Sequence, residues 1–304
     1  MISVQHLTKR YGDRAVVSDV SFEVAEGETL VLLGTSGCGK TTTLKMLNRL
    51  VEPSAGEIRV GGVDVRQQSP PELRRGMGYV VQETGLFPHY TVAENVAVVP
   101  RLLGWDDARI RRRTLELLAL LRLPEEFATR YPDQLSGGQR QRVGLARALA
   151  ADPPVVLMDE PFGALDPVTR AGIRREFKNL EVLREKTIVL VTHDVVEAFE
   201  LGDQVCLMNA GRIEQLGSPQ DLLFHPATEF VKNFFENQRL ALQLGVVTLG
   251  ELRPFLPPDF LISTEEKATL ADAVARFPTQ QSALLAAFGL FLENTTPPLS
   301  LLSS

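Results

Sequence analysis

The sequence predicts an α/β fold built on a parallel sheet, and three stretches predict it. Leu30–Leu33, Val155–Met158 and Thr187–Val191 are short, continuous apolar runs, the pattern of strands buried on both faces. A helical pattern follows the first two after a short turn, the order expected of parallel units.

The first of these runs sits within Thr29–Leu47, where Gly34, Gly39, Lys40 and Thr41 stand at the spacing G-x-x-x-x-G-K-[ST]. Glycines allow a tight turn that points successive N–H groups at phosphate oxygens. The following helix aims its positive dipole end at the same place. Lys40 is then expected on the β- and γ-phosphates, with the Thr41 hydroxyl on Mg²⁺. The bland alternative is a turn that only looks like a phosphate loop, but the strand–turn–helix setting favours nucleoside triphosphate binding.

Composition narrows the class further. The 304 residues are 44% hydrophobic and 23% charged, ordinary for a globular chain of one large domain plus an appendage or of two modest domains. A formal net charge of −6 argues against a general nucleic-acid binder. No apolar run approaches the ~20 residues of a membrane-spanning helix, and the start MISVQHLTKRYG is no signal peptide. Cys38 and Cys206 are far apart and read as free thiols in a reducing compartment. The expectation is a cytosolic chain that reaches a membrane only through a partner.

Taken in order, Ile2–Tyr11 and Ala15–Val24 read as strands around the turn Gly12–Asp13, which predicts a small antiparallel sheet ahead of the phosphate loop. Tyr11 could stack on an adenine or be an ordinary strand aromatic. PSAGEIRVGG gives turn, strand, turn, and Pro70–Pro71 open a short helix. Met77–Gln82 reads as a strand ending on a polar residue, followed by loop chemistry at Thr84–Gly85 and Pro88–His89. Thr91–Leu123 turns helical, and its cluster Arg109, Arg111, Arg112, Arg113 reads first as a solvated face.

Leu135-Ser136-Gly137-Gly138-Gln139 precedes a strongly helical stretch. Ser136 is a natural N-cap and the glycines allow close backbone approach, so this is a second helix start suited to an anion. Val155–Met158 ends in Asp159-Glu160, where a carboxylate could support Mg²⁺ and its neighbour could take a proton from water; a pair of surface acids is the alternative. Asp166 precedes a helix from Pro167 to near Arg184. Thr187–Val191 leads to His193, a candidate sensor of the γ-phosphate on the same sheet edge. Gln204–Leu216 reads as a hairpin turning at Asn209-Ala210-Gly211, and two short helices follow. From Gln238 the chain becomes rich in Leu and Pro, with helical patches at Thr269–Phe277 and Ser282–Phe291, a tail TTPPLSLLSS and no evident chemistry.

GTSGCGKT, Gln82, Leu135–Gln139, Val155–Glu160, Leu165–Asp166 and His193 together resemble the nucleotide-binding subunits of ABC transporters, from Met1 to about Asn237. The resemblance implies an ABC-type P-loop NTPase core with a parallel sheet, an N-terminal antiparallel β subdomain and a helical subdomain near residues 84–152. It makes residues 1–237 the ATPase domain and residues 238–304 a short, mostly helical extension. It also implies a homodimer in which each ATP lies between Gly37–Thr42 of one copy and Ser136–Gly138 of the other, with Gly34, Thr35, Ser36, Cys38 and Gln139 in the same motifs. Tyr11 would stack on adenine, Gln82 would touch Mg²⁺ and the attacking water, and Asp159 would support Mg²⁺. Glu160 would be the general base, Asp166 would cross the dimer interface and His193 would hold the γ-phosphate. The implied place of the chain is the cytoplasmic face of the plasma membrane, on integral-membrane permease subunits and, indirectly through them, with an external solute-binding protein; nucleic acid is not among the implied partners.

A narrower resemblance runs through KMLNRLVEPSAGEI, the stretch from Met77 to Trp105, and LDPVTRAGIRREF. These look like the ATPases of importers for quaternary-amine osmoprotectants such as glycine betaine, carnitine or choline. Many of those carry a tandem pair of CBS domains, for which residues 238–304 are too short, although Thr269–Phe277 could be a remnant of one. Importers of amino acids, sulfonates or methionine are the alternative, followed by a non-transport ABC protein and by a catalytically dead module.

Overall fold

The computed structural model describes residues 1–82, 85–257, 260, 267–277 and 280–295. Residue Thr84 of the expected loop and the tail from 296 onward lie outside the described residues. The chain forms two compact units, Met1–Leu216 and Gly217–Ser304, so the division precedes the change of composition at Gln238.

In the first unit, strands β1 (Ile2–Tyr11), β2 (Arg14–Val24), β4 (Ala55–Val60) and β5 (Val63–Asp64) form the antiparallel sheet, in the order β2-β1-β4-β5. Inward positions such as Ile2, Val4, Leu7, Val17, Val20 and Ile58 are buried while intervening residues are partly solvated, the period of a sheet with one wet face. The second sheet holds β3 (Thr29–Gly34), β6 (Met77–Val80), β7 (Val155–Asp159), β8 (Thr187–Thr192), β9 (Gln204–Asn209) and β10 (Arg212–Gly217), ordered β10-β9-β3-β8-β7-β6. Pairings among β6, β7, β8, β3 and β9 are all parallel. Leu30–Leu33 and Val155–Met158 have no exposed surface, and each such side chain stabilises the fold by ~1.5–3 kcal/mol.

Sequence order and sheet order differ here. The strand beside β3 is β8, so Asp159 on β7 sits one strand further from the phosphate loop than adjacency in sequence suggests. The pairing Asp159↔Val191 and Leu33↔Thr192 nonetheless brings the ends of all three strands to one edge.

The helices of the first unit are α1 (Lys40–Leu47), α2 (Pro70–Arg75), α3 (Val92–Leu102), α4 (Asp107–Leu120), α5 (Gly137–Leu149), α6 (Pro167–Lys178), α7 (Glu181–Arg184) and α8 (Val195–Leu201). The helix expected across Thr91–Leu123 is two helices. Gly104 takes φ +73° and Asp106 caps α4 by accepting from the Arg109 amide, which restarts the helix in a new direction. The helix expected to reach Arg184 stops at Lys178, where the Asn179 side chain takes the Arg175 carbonyl at 2.9 Å. The strand expected to reach Gln82 stops at Val80, leaving Gln82 on a turn.

The arginine cluster on α4 is only partly a solvated face. Arg109 lies 3.5 Å from the centre of the Trp105 ring. Arg113 donates to the Leu149 and Ala150 carbonyls at the end of α5. Buried Asn95 of α3 clamps the loop below Gln82, accepting from the Phe87 amide at 2.8 Å and donating to the Phe87 and Tyr90 carbonyls at 3.1 Å.

The second unit contains α9 (Pro219–Phe224), α10 (Glu229–Phe235), α11 (Arg239–Val246), α12 (Leu249–Leu252), α13 (Leu270–Arg276) and α14 (Gln281–Thr295). Its early start has a physical cause: α9 packs against both α10 and α11. Thr248 and Thr269 cap α12 and α13 and pair as an isolated antiparallel bridge. Leu252, Leu270, Leu284, Phe288 and Phe291 fill its interior.

Candidate active site

The phosphate loop owes its shape to contacts that exclude side chains. A Cβ on Gly34 would lie 2.2 Å from the Met208 carbonyl oxygen, and one on Gly39 would lie 2.7 Å from that of Val16. Gly39 holds φ +105° and provides no side-chain cap for α1, whose first turn carries no acidic residue. The leading amides and dipole of α1 are therefore left for an anionic ligand. Lys40 is buried and donates from Nζ to the Gly34 and Thr35 carbonyl oxygens, both at 2.8 Å, which fixes the ammonium inside the loop.

A cavity of about 470 Å³ opens over this loop. It is lined by Ser36, Gly37, Gly39, Lys40, Thr41 and Thr42, by Val16 of β2, and by Gln82, Glu160 and His193. Thr41 donates from Oγ1 to Asp159 Oδ1 at 2.8 Å. Burial pushes the Asp159 carboxyl above its ordinary range, opposed by the Thr41 hydrogen bond and by the charges of Lys45 and Lys40.

Glu160 is held at φ +44°, a left-handed conformation that is strained for a side-chain-bearing residue. Its amide donates to the Val191 carbonyl at 2.9 Å, locking the β7 end to β8. Its Oε2 lies 3.2 Å from His193 Nδ1 and 3.3 Å from Gln82 Nε2. One carboxylate at the cavity mouth is thus oriented by an imidazole and an amide from two other segments, the arrangement of a held general base.

The oxygen-rich set of Thr41, Asp159 and Gln82 fits Mg²⁺, which prefers oxygen ligands and is held by few protein groups plus phosphate. Among the described residues no cluster of three His, Cys, Asp or Glu side chains could hold a metal without such help.

The remaining expected site residues lie elsewhere. Ser136 caps α5, accepting from the Gln139 amide at 3.3 Å, while Gln139 Oε1 accepts from the Ser136 amide at 2.8 Å. Ser136, Gly138 and Gln139 line a separate cavity of about 320 Å³ together with Thr169. Gly137 opens α5 beside Leu165, Asp166 caps α6, and neither lines the nucleotide-sized cavity. Tyr11 is 53% exposed with the Lys9 ammonium 4.9 Å from its ring centre, and Cys38 is buried behind the loop. Val16 escaped sequence reasoning; its only trace is the paired glycines, Gly39 and Gly211, whose backbones crowd its carbonyl.

A phosphate loop on a parallel-sheet edge, a buried carboxylate on the loop threonine and a strained glutamate between histidine and glutamine define a nucleoside-triphosphate-binding cassette. The chain belongs to the ATP-binding subunits of the ABC transporter family, whose family model, described as ABC transporter, matches residues 17–163. It is 50% identical over 241 residues to the choline transport ATP-binding protein OpuBA of Bacillus subtilis (strain 168), covering 79% of this chain and 63% of that one. It therefore spans less than two thirds of OpuBA. The glycine betaine uptake system ATP-binding protein YehX of Escherichia coli (strain K12) is 49% identical over 280 residues, 91% of this chain and 90% of that one. Among solved structures, a dimeric post-hydrolysis state of the ATP-binding cassette MJ0796 bound to ADP and Pi matches with a TM-score of 0.63 at 33% identity, covering 72% of this chain and 98% of the other.

Proposed function

We propose that the chain is the Mg²⁺-dependent ATP-hydrolysing subunit of an importer for a quaternary-amine osmoprotectant such as glycine betaine, carnitine or choline. The observation that carries the reading is the near-complete alignment, at 49% identity, with a glycine betaine uptake ATPase. The site supports the hydrolytic part. Lys40 and the start of α1 bind the triphosphate. Thr41, Asp159 and Gln82 would hold Mg²⁺, which when bound neutralises phosphate charge. Glu160 takes the proton of the attacking water, Gln82 orients that water, and His193 steadies both Glu160 and the γ-phosphate.

In this reading the ATPase domain takes in residues 1–237 and the extension 238–304 has no assigned role. Two copies close head to tail, so that Ser136, Gly137, Gly138 and Gln139 of one complete the nucleotide site of the other. Their separation from the phosphate loop within one chain supports this. Asp166 lies at the interface between copies and Tyr11 meets the adenine. Among the described residues no helix is long and apolar enough to cross a membrane, which agrees with docking on permease subunits at the cytoplasmic face, fed by a solute-binding protein.

The test is uptake of labelled glycine betaine, carnitine and choline in hyperosmotic medium, comparing cells with this chain and cells carrying Glu160→Gln. Loss of uptake of at least one of the three supports the reading. Unchanged uptake of all three, with loss of another solute, overturns the substrate class and leaves the hydrolysis to be judged on its own.

A further inference from the structure

Glu160 and His193 meet at 3.2 Å, yet they sit at the ends of different strands, each followed by a turn. The Glu160 amide ties the strand ends through the Val191 carbonyl, and the turns beyond them carry a second tie. Arg170 of α6 makes it. Its Nη2 donates to the Leu165 carbonyl at 2.9 Å and to the Gly163 carbonyl at 3.5 Å, both in the turn that follows Glu160. Its Nη1 lies 3.5 Å from Oδ2 of Asp194, the residue directly after His193.

Asp194 is well suited to receive it. Its Oδ1 caps α8 by accepting from the Glu197 amide at 3.1 Å, and its own amide donates to Thr192 Oγ1 at 3.0 Å, so the residue is fixed through both its carboxylate and its backbone. Oδ2 is then turned towards α6, where Arg174, one turn beyond Arg170, also reaches it at 3.5 Å. Arg170 and Asp194 are 23% and 24% exposed at the side chain, which keeps their attraction partly shielded from water. A planar guanidinium fork spreads its donors so that it serves carbonyls on one side and a carboxylate on the other at the same time.

We propose that Arg170, through Asp194, is a positioning residue for ATP hydrolysis. It straps the turn after Glu160 to the turn after His193 and so holds the base and the histidine in working geometry. The inference rests on the hydrolase reading above. It assigns no contact with nucleotide to Arg170 and so predicts an effect on turnover without one on binding.

The experiment measures Mg²⁺-ATP turnover, KM for ATP and thermal midpoint for the full chain and for Arg170→Gln, Arg170→Lys, Asp194→Asn and the double variant Arg170→Gln/Asp194→Asn. Misplacement of reacting groups by about 1 Å costs roughly 100-fold in rate, so Arg170→Gln is expected to lower kcat by about 10- to 100-fold with KM within about twofold. Asp194→Asn keeps the cap on α8 and is expected to lower kcat without melting that helix. The double variant is no slower than Arg170→Gln alone, because both substitutions open one strap. Arg170→Lys, with a charge but no fork, falls between wild type and Arg170→Gln. If Arg170→Gln does not fold, Asp194→Asn carries the same kcat prediction. Wild-type kcat in Arg170→Gln or Asp194→Asn, multiplying effects in the double variant, or a KM rise and midpoint loss that track the rate loss each overturn the proposal. Absence of turnover in the unmodified chain would instead overturn the hydrolase reading on which it rests.

Discussion

The Thr41 hydroxyl and the Asp159 carboxylate meet at 2.8 Å although 118 positions separate them in the chain. The contact joins the first turn of α1 to the end of β7 across the intervening strand β8. Thr41 and Asp159 are two of the residues that would hold Mg²⁺ in the proposed site. Asp159→Asn is expected to weaken Mg²⁺ affinity by about 10- to 100-fold, so that turnover needs correspondingly more Mg²⁺ to reach half its maximum. A Mg²⁺ titration of ATPase rate at fixed ATP checks this.

Glu160 is the only carboxylate that both lines the cavity and faces Gln82 and His193 among the described residues. Glu160→Gln keeps the shape and the left-handed backbone while removing the base. Steady-state ATPase assays are expected to show kcat lower by about 10²- to 10⁴-fold with ATP still bound. Retained turnover would remove Glu160 from the role of base.

Glu197 makes the first unit's stability depend on pH. Burial, and next the Asp194 charge, push its carboxyl up from 4.5 to about 8, and its Oε1 has no hydrogen-bond partner. A carboxyl neutral in the fold but ionised in the unfolded chain makes the unfolded state lose protons first. Its contribution is fully present below about pH 4.5 and is lost progressively as pH rises to about 8. Glu197→Gln is expected to flatten that part of the profile. Thermal midpoints of both proteins across pH 5–9 read it out.

The thiols should be silent in the native fold. Cys206 has no exposed surface and its thiol is pushed up to about 12, first by burial, while Cys38 is 3% exposed behind the loop. Iodoacetamide near pH 8 is expected to label neither in the folded chain and both after unfolding, as mass spectrometry would record.

What could be read in the sequence was what local chemistry encodes. The phosphate loop, the apolar strands and the cap at Ser136 each leave a pattern within a few residues, and all three occupy the expected places. The order β3-β8-β7 leaves none, because strand neighbours are chosen by packing across the sheet. Val16 and Arg170 were invisible for a related reason. One lines the cavity from a strand of the other sheet, and the other reaches, besides Asp194, backbone carbonyls that any residues at those positions would present. The breaks at Gly104 and Asn179 were written in the sequence but were outweighed by the helical pattern around them.

The proposed ATPase site is composite and is completed by a second copy of the chain. The direct measurement is sedimentation of Glu160→Gln with and without Mg²⁺-ATP, alongside the nucleotide bound per dimer. A composite site gives a monomer without nucleotide, a dimer with two ATP bound, and loss of that dimer when Ser136→Arg is added. A protein that binds ATP yet stays monomeric, or a dimer indifferent to both nucleotide and Ser136, would contradict it.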